Sequence, residues 1–366
     1  MFYRKLLRPL LFQLDPERVH EITLSLLAKL SSLEPIFEWL FVETDTRLQV
    51  RLGSLKFPNP VGLAAGFDKN ARTVRIWPGF GFGFIEVGAV TAFAQPGNPK
   101  PRLFRLPEDE ALINRLGFNN EGARAIAARL EVLKKKGGLL KIPVGINIGK
   151  TKTTENKDAT KDYLFTFERL YVSGDYFTLN VSSPNTLGLR ELQEKARLEE
   201  LVQAIQEKNR DLAAMSRAGE KPVFVKVAPD MEFAQLDDII EVSLSHRVAG
   251  IIATNASAFM RELLSSRIDE SGGLSGRPLR AKARVFVRHI YNTTGGRLPL
   301  IGSGGIFTAE DAYETITAGA SAVQVYTGFV YQGPGTVKRI NRGLLRFLER
   351  DGFKNLAEAV GSRAKE

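Results

Sequence analysis

Asn180-Val181-Ser182-Ser183-Pro184-Asn185 sets a serine between two amides at the end of an apolar run, Tyr176 to Val181, in a chain of 366 residues without a cysteine. A hydroxyl there can take up a proton, and amides can hold a ligand that both donates and accepts hydrogen bonds. Ser, Pro and Asn are also ordinary turn formers, so the hexapeptide alone leaves a site and a turn both open. The missing cysteine excludes disulfides, thiolate-bound zinc, cysteine-ligated iron–sulfur clusters and a cysteine base or nucleophile. Histidine offers no obvious substitute: His246 and His289 fall in helical patterns and His20 in the amino-terminal segment. Ser183 is therefore the leading base candidate, which demands an activated carbon acid and a proton route.

Other residues of chemical interest fall at similar places. Gly62-Leu63-Ala64-Ala65-Gly66-Phe67-Asp68-Lys69 is a run of mostly small residues, against which a flat group can lie, followed by a cation. Lys226 lies inside an apolar run and needs a partner once desolvated, either an anionic ring or a structural ion pair. Asn114, Asn147, Asn180, Asn185 and Asn255 all fall at or near run ends or in an insertion, and converging amides suit a planar ring with alternating N–H and C=O groups. Gly302-Ser303-Gly304-Gly305-Ile306 and Tyr326-Thr327-Gly328 read as a phosphate cradle or as tight turns.

The elements that must carry these residues are eight short apolar runs with helical patterns between them. They are Val61 to Ala65, Phe84 to Val90, Val144 to Ile148, Tyr176 to Val181, Val223 to Val227, Gly250 to Thr254, Leu300 to Gly302 and Ala322 to Tyr326. Runs apolar on both faces, alternating with helices, predict a parallel (β/α)8 TIM barrel, although a doubly wound sheet would alternate in the same way. Arg47 to Val50 and Ser54 to Phe57 predict a small hairpin before the barrel. Two insertions, Thr91 to Phe118 and Ala258 to Gly276, follow barrel strands as candidate lids, the first with possible strands at Arg102 to Leu106 and Ala111 to Asn114.

Residues 1–44 read as a separate helical extension to a barrel of 45–366. Val19, Ile22, Leu26 and Leu30 form one apolar stripe, and Leu33, Ile36, Phe37, Leu40 and Phe41 a second. These faces either dock on the barrel or meet a membrane or apolar ligand. Net charge is +10, but the cations are scattered, with Lys134-Lys135-Lys136 the one obvious run. No nucleic-acid module is recognisable, and no apolar run approaches the ~20 residues that span a bilayer.

The chain resembles the class 2, quinone-dependent dihydroorotate dehydrogenases over nearly its whole length. The motifs that carry this are Leu-Phe-Gln-Leu-Asp-Pro-Glu-Arg at 11 to 18, the 62 to 69 run, Lys-Pro-Arg-Leu-Phe-Arg-Leu at 100 to 106, Ile-Asn-Arg-Leu-Gly-Phe-Asn-Asn at 113 to 120, Asn-Val-Ser-Ser-Pro-Asn-Thr at 180 to 186 and Gly-Gly-Leu-Ser-Gly-Arg-Pro-Leu at 272 to 279. The resemblance implies an FMN-binding barrel that oxidises dihydroorotate to orotate in pyrimidine synthesis and passes electrons to a membrane quinone. It implies a peripheral protein on the cytoplasmic face of the cell membrane, without an iron–sulfur partner subunit or nucleic acid.

By the same resemblance, FMN contacts fall on Ala65, Gly66, Phe67, Asp68, Lys69, Ala89, Asn147, Asn180, Lys226, Thr254, Gly276, Gly305, Tyr326 and Thr327. Dihydroorotate falls to Lys69, Asn114, Arg115, Leu116, Gly117, Phe118, Asn180, Asn185, Asn255 and Ala256. Ser183 is implied as the base for the C5 proton, with Thr186 and Phe118 shaping its path, and His20 and Arg105 as polar groups on the quinone side, a surface or capping role being their alternative. Two positions depart from the family: Ala89 stands where Thr or Ser is usual, leaving backbone contact there, and Ala256 replaces a usual Thr. Thr91 is the candidate to reach the flavin in place of residue 89.

Overall fold

The computed structural model describes residues 2–137, 140–186, 188–216, 219–259, 263–265 and 269–366, without the side chains of residues 136 and 137. Part of the 258–276 insertion and the side chain of Lys136 therefore lie outside the described residues. The chain opens with a π-turn, Tyr3–Leu7, running into α1 (Arg8–Phe12), then α2 (Pro16–Lys29), a 3-10 turn at Ser31–Leu33 and α3 (Glu34–Phe41). Asp15 starts α2 by accepting the Arg18 N–H, and Pro16 follows at the position where its missing N–H costs nothing.

Beyond it come the hairpin β1 (Val50–Leu52) and β2 (Leu55–Phe57), then β3 (Val61–Leu63) and β4 (Phe84–Val90). The first strand of the hairpin begins at Val50 and not at Arg47, because Asp45 caps a 3-10 turn over Thr46–Leu48, while the second ends at Phe57 as its sequence suggests. The first insertion holds β5 (Leu103–Leu106) and β6 (Ala111–Asn114). There follow α4 (Gly122–Gly137), β7 (Val144–Ile148), α5 (Ala159–Leu170), β8 (Tyr176–Asn180), α6 (Lys195–Ser216), β9 (Val223–Val227), α7 (Phe233–Ser245) and β10 (Gly250–Ala253). The second insertion holds β11 (Gly273–Gly276), and the chain ends with α8 (Arg280–Thr294), β12 (Leu300–Ser303), α9 (Ala309–Thr317), β13 (Ala322–Val325), α10 (Thr327–Gln332), α11 (Thr336–Asp351) and α12 (Leu356–Ala359). His246 caps α7 instead of lying in it.

Eight parallel strands close in the order β10-β12-β13-β3-β4-β7-β8-β9, so the alternation is that of a TIM barrel and not of an open sheet. Strands such as β7 and β9 are buried at every position because the helices cover their outer faces and side chains fill the interior. Register sets the chemistry: Asn180 pairs with Lys226, and Asn147 with Thr178. Over the carboxyl end of the barrel lies a three-stranded antiparallel sheet, β11-β6-β5, in which Asn114 faces both Gly273 and Leu103. The sequence shows β5 and β6 as a hairpin but gives no sign that a strand 160 residues away completes it.

An additional short helix, Tyr3–Phe12, precedes the two expected at the amino terminus, and the segment is tied to the barrel body along its length. Tyr3 Oη donates to Val330 O (2.6 Å), Arg8 donates to Tyr331 O (3.2 Å), and Phe37 and Phe41 pack on Phe80. Glu17 forms a buried pair with Arg102, whose Nη2 lies 2.7 Å from Oε1, while Arg102 also donates to Pro96 O and Asn98 O. The expected stripe of α2 docks only in part: Leu30 packs on the core, while Ile22 and Leu26 are 55% and 53% exposed. Ile36, Leu40 and Trp39 of α3 also face outward, Trp39 being 80% exposed.

Burial pushes the Glu17 carboxyl up, but the hydrogen bond and charge of Arg102 outweigh it and hold it below its ordinary 4.5. This contribution to stability is fully present above pH 4.5 and lost as pH falls through the depressed pKa. Arg102→Gln leaves the Glu17 carboxylate with Lys100 alone, whose Nζ lies 3.5 Å from Oε1, and is expected to destabilise the fold by roughly 1.5–3 kcal/mol at neutral pH. Urea unfolding at pH 7 and at pH 3 checks this, with the difference between variant and parent shrinking at pH 3.

Candidate active site

The barrel's carboxyl-end mouth and the β11-β6-β5 lid enclose a cleft of about 1090 Å3, counted to its open mouth. Lys69, Asn114, Phe118, Asn180, Ser183, Asn185, Lys226, Thr254 and Asn255 all line it, from β3, β4, β8, β9 and β10 or the loops after them and from the lid.

Its floor is organised by a residue the sequence reading missed. Glu86, in the middle of β4, is buried in the barrel interior. Asn147 Nδ2 donates to Glu86 Oε1 (2.6 Å) and Gln324 Nε2 to Oε2 (2.8 Å). An ionised carboxylate only accepts, so these two amides must turn their NH2 groups toward it and their oxygens away. Asn180 Nδ2 then donates to Asn147 Oδ1 (2.9 Å), and Asn255 Nδ2 to Asn180 Oδ1 (3.2 Å). On the other branch Lys226 Nζ donates to Gln324 Oε1 at 3.5 Å. Burial pushes the Lys226 ammonium below its ordinary pKa, and the Glu86 charge works against that. Of the two partners left open for Lys226, the structure supplies an indirect ionic one through Gln324, with the ammonium still at the cleft wall. A glutamate in an apolar strand was the available signal.

Nearer the mouth, Asn185 Nδ2 donates to Asn114 Oδ1 (3.1 Å), and Asn114 Nδ2 to Gly273 O (3.3 Å), tying the β8 loop to the lid. Ser183 is buried, and its Oγ accepts the Asn185 N–H (3.3 Å). Phe118 lines the cleft with a positive φ of 53°, its ring so close to Gly149 that a Cβ there would lie 2.6 Å from it. Thr186 is buried but does not line the cleft. Burial pushes Lys69 down to about 8, against the pull of Glu21 and Glu17.

The glycine loops meet at one wall. Ser303 to Ile306 and Tyr326 to Gly328 line the cleft together with Gly276. Among the described residues the N–H groups of Gly304, Gly305 and Ile306 make no backbone hydrogen bond, and Thr327 and Gly328 open a helix, whose first N–H groups have no intrahelical acceptor. A Cβ on Gly305 would fall 2.5 Å from Arg280 backbone, so only glycine fits.

Several expected contacts lie elsewhere. Asp68 turns away to accept from Arg72 N, Thr73 N and Thr73 Oγ1 at 2.7–2.8 Å. Phe67 packs into an aromatic cluster with His20, Trp77, Tyr326 and Phe329. Arg115 pairs with Glu270 (2.7 Å) over the Phe104 ring, outside the cleft. Asn147 sits beneath Asn180, and the Thr91 hydroxyl is committed to Phe93 O (2.6 Å) and Asn120 Nδ2 (2.8 Å), so it does not stand in for the missing hydroxyl at Ala89. Ala65, Gly66, Ala89, Leu116, Gly117 and Ala256 do line the cleft.

His20 and Arg105 lie between the amino-terminal helices and the barrel. Burial first, and then the Lys69 charge, push His20 down to about 3, so the ring is neutral. Arg105 donates to Leu14 O (2.7 Å) and Phe12 O (3.4 Å) and lies over the Phe12 ring, which is the capping role left open for it. The sequence reading missed Tyr331, which touches Phe12 edge-on at 5.2 Å and donates to Ala111 O (2.8 Å). Leu112, Tyr326, Val330, Tyr331 and Phe12 form an apolar seam from the cleft to α1. Among the described residues no group of three or more His, Asp or Glu could hold a metal ion.

Comparison with known proteins gives the family of the chain. The family model described as dihydroorotate dehydrogenase matches residues 47–348. The dihydroorotate dehydrogenase (quinone) of Gloeobacter violaceus is 51% identical over 361 residues, covering 98% of each chain. That of Halobacterium salinarum is 49% identical over 360 residues, covering 98% of this chain and 99% of the relative. The crystal structure of the Eimeria tenella dihydroorotate dehydrogenase in complex with ferulenol superposes with a TM-score of 0.89 at 39% identity, covering 96% of both chains.

Glu86→Ala would leave Lys226 buried without its counter-charge, at an expected cost of roughly 3–5 kcal/mol. Adding Lys226→Met is expected to recover most of that loss. A double-mutant cycle by chemical denaturation measures the coupling, and additive losses would show that Glu86 and Lys226 do not compensate each other.

Proposed function

The chain belongs to the quinone-dependent class of the dihydroorotate dehydrogenase family, oxidoreductases of pyrimidine biosynthesis, and from that premise we propose that this cleft holds FMN and dihydroorotate with Ser183 as the base. The observation that carries the reading is convergence: one cleft collects Ser183, the Lys69 cation, four asparagine amides and Lys226 beside a wall of glycine N–H groups that make no backbone hydrogen bond among the described residues.

The residues present fit FMN. Unpaired N–H groups at Gly304, Gly305, Thr327 and Gly328 suit its phosphate, as glycine loops and helix starts do for anions generally. Ala65, Gly66, Ala89 and Thr254 offer small or short side chains beside a flat ring, and Lys226 retains a cation there without a directly bonded carboxylate. When bound, FMN supplies the acceptor for the C6 hydride and passes the two electrons on to the quinone.

The protein's own residues account for the rest. Lys69 offsets the substrate carboxylate, while Asn114, Asn180, Asn185 and Asn255 match the alternating N–H and C=O groups of the ring. Asn255 and Asn180 have fixed orientations because the amide relay ends on Glu86. Ser183 Oγ takes the C5 proton and releases its own hydroxyl proton to water along the path shaped by Thr186 and Phe118, as hydride leaves C6 for the flavin and a C5=C6 double bond forms. The carbonyl beside C5 acidifies that proton, and the Asn185 N–H on Ser183 Oγ favours its negative form.

The helical segment 1–44 gives the quinone access from a membrane. Support comes from the outward Ile22, Leu26, Ile36, Trp39 and Leu40, the exposed Phe2, Leu6 and Leu10, and the adjacent Arg4 and Lys5. No helix among the described residues is long and apolar enough to cross a membrane; the outward apolar side chains are what support a peripheral attachment. A basic, apolar segment suits the anionic cytoplasmic leaflet. The seam through Tyr326, Tyr331 and Phe12, with His20 and Arg105 flanking, links the flavin site to that segment.

Anaerobic addition of dihydroorotate is expected to bleach the bound flavin and a quinone analogue to restore it; a purified, folded protein without flavin absorbance would sink the reading. Ser183→Ala is expected to slow bleaching by about 10²–10⁴-fold at neutral pH while flavin content stays the same.

Lys69 is charged below about pH 8 and neutral above it. The kcat/KM for dihydroorotate, which reports the free enzyme, is therefore expected to lose a component as pH rises through 8. A pH profile of Lys69→Gln lacking that inflection checks the assignment, and an unchanged profile refutes it.

A further inference from the structure

Asp230 follows β9 in the loop Ala228-Pro229-Asp230, and its carboxylate is 1% exposed. Four groups converge on it. Oδ1 accepts from Ser257 Oγ (2.5 Å) and Oδ2 from Ala258 N (2.7 Å), both in the loop after β10. Arg190 Nη2, in the loop after β8, lies 3.0 Å from Oδ2, and Lys282 Nζ of α8 lies 3.7 Å from Oδ1. A carboxylate offers enough acceptor sites for this convergence, and a neutral side chain does not.

Arg190 and the Ser257–Ala258 segment each stand one step from a reacting position. Arg190 Nε donates to Ser182 O at 3.3 Å, so the guanidinium bridges Asp230 to the peptide that joins Ser182 to Ser183. Ser257 and Ala258 directly follow Asn255 and Ala256, and Ser257 exchanges backbone hydrogen bonds with Leu274 of β11 in the lid. Asn255 Nδ2 in turn reaches Ser182 Oγ (3.0 Å). The loops after β8, β9 and β10 and one lid strand thus share a single buried acceptor that does not itself line the cleft.

We propose that Asp230 is a positioning residue, which through Arg190 and the Ser257–Ala258 backbone sets Ser183 and Asn255 at the spacing that proton removal from the substrate requires. The inference rests on the reading of Ser183 as base and Asn255 as substrate ligand. A positioning group acts on the reductive half of the cycle and has no part in reoxidation, whereas a residue that only stabilises the fold affects both halves and flavin retention.

Stopped-flow kinetics on the flavin-loaded full chain separates the halves. In Asp230→Asn the rate of flavin reduction at saturating dihydroorotate is expected to fall on the order of 10²-fold, the effect of misplacing a reacting group by about 1 Å. Flavin content and the rate of reoxidation by a water-soluble quinone analogue are expected to stay at parent values, and orotate, titrated by its effect on the flavin spectrum, to bind more weakly. Arg190→Gln, which cuts only the link to Ser182, is expected to slow reduction in the same direction and carries the test alone if Asp230→Asn does not fold. The double variant with Ser183→Ala is expected to reduce flavin little more slowly than Ser183→Ala itself. Parent-like reduction in Asp230→Asn, equal slowing of both halves, or full additivity with Ser183→Ala would each overturn the proposal. Parent-like reduction in Ser183→Ala instead defeats the base assignment, whatever Asp230 does.

Discussion

One buried carboxylate governs the polarity of the cleft. Glu86 sits where water cannot reach it, so its charge must be met by donors, and Asn147 and Gln324 meet it at 2.6 and 2.8 Å. From there the constraint propagates outward, each amide passing its oxygen to the next NH2, until Asn255 stands at the cleft wall with one orientation. Through Gln324 the same charge favours the protonated form of Lys226, which burial disfavours. A barrel interior is normally filled by apolar layers; here part of that filling is a hydrogen-bonded polar network whose members hold one another in place.

The upper part of the cleft depends on a different device. Two insertions, separated by most of the barrel, pair as β6 and β11, and Gly273 faces Asn114 because no larger side chain fits between Ala256 and Pro184. Arg115, expected at the substrate, is spent on Glu270 and fastens the lid from outside. The loops beneath the lid are joined by Asp230, Arg190 and Asn185, so the groups around Ser183 are held from several sides. Preorganisation of this kind is what the base proposed at Ser183 would need, because an alcohol gains nothing from being merely nearby.

At the amino terminus two demands are met by one segment. Glu17, Tyr3, Phe37 and Phe41 anchor it on the barrel, while Ile22, Leu26, Ile36 and Trp39 stay exposed. Exposed apolar side chains on that scale carry a cost in water that contact with lipid would remove. Tyr331 and Phe12 connect this outward surface to the Tyr326 side of the cleft without a polar step between them.

Local sequence determined much of this protein. Strands buried on both faces announce themselves as unbroken apolar runs, so seven-residue β4 or β9 with its single lysine could be placed closely, and the motif around Ser183 marked the reacting end of β8. Glycines at 304 and 305 signalled the anion wall because a close approach of backbone requires them. Tertiary structure alone decided the rest. Closure into a barrel is a pairing of β10 with β12 and of β13 with β3, which no local period encodes. Whether a polar side chain faces the cleft or turns away is likewise a matter of neighbours: Asp68, Arg115 and Thr91 found partners elsewhere, while Glu86 and Asp230, ordinary residues in sequence, became hubs because distant donors were brought to them. Side-chain direction depends on contacts made across the chain, and those exist only after the strands have met.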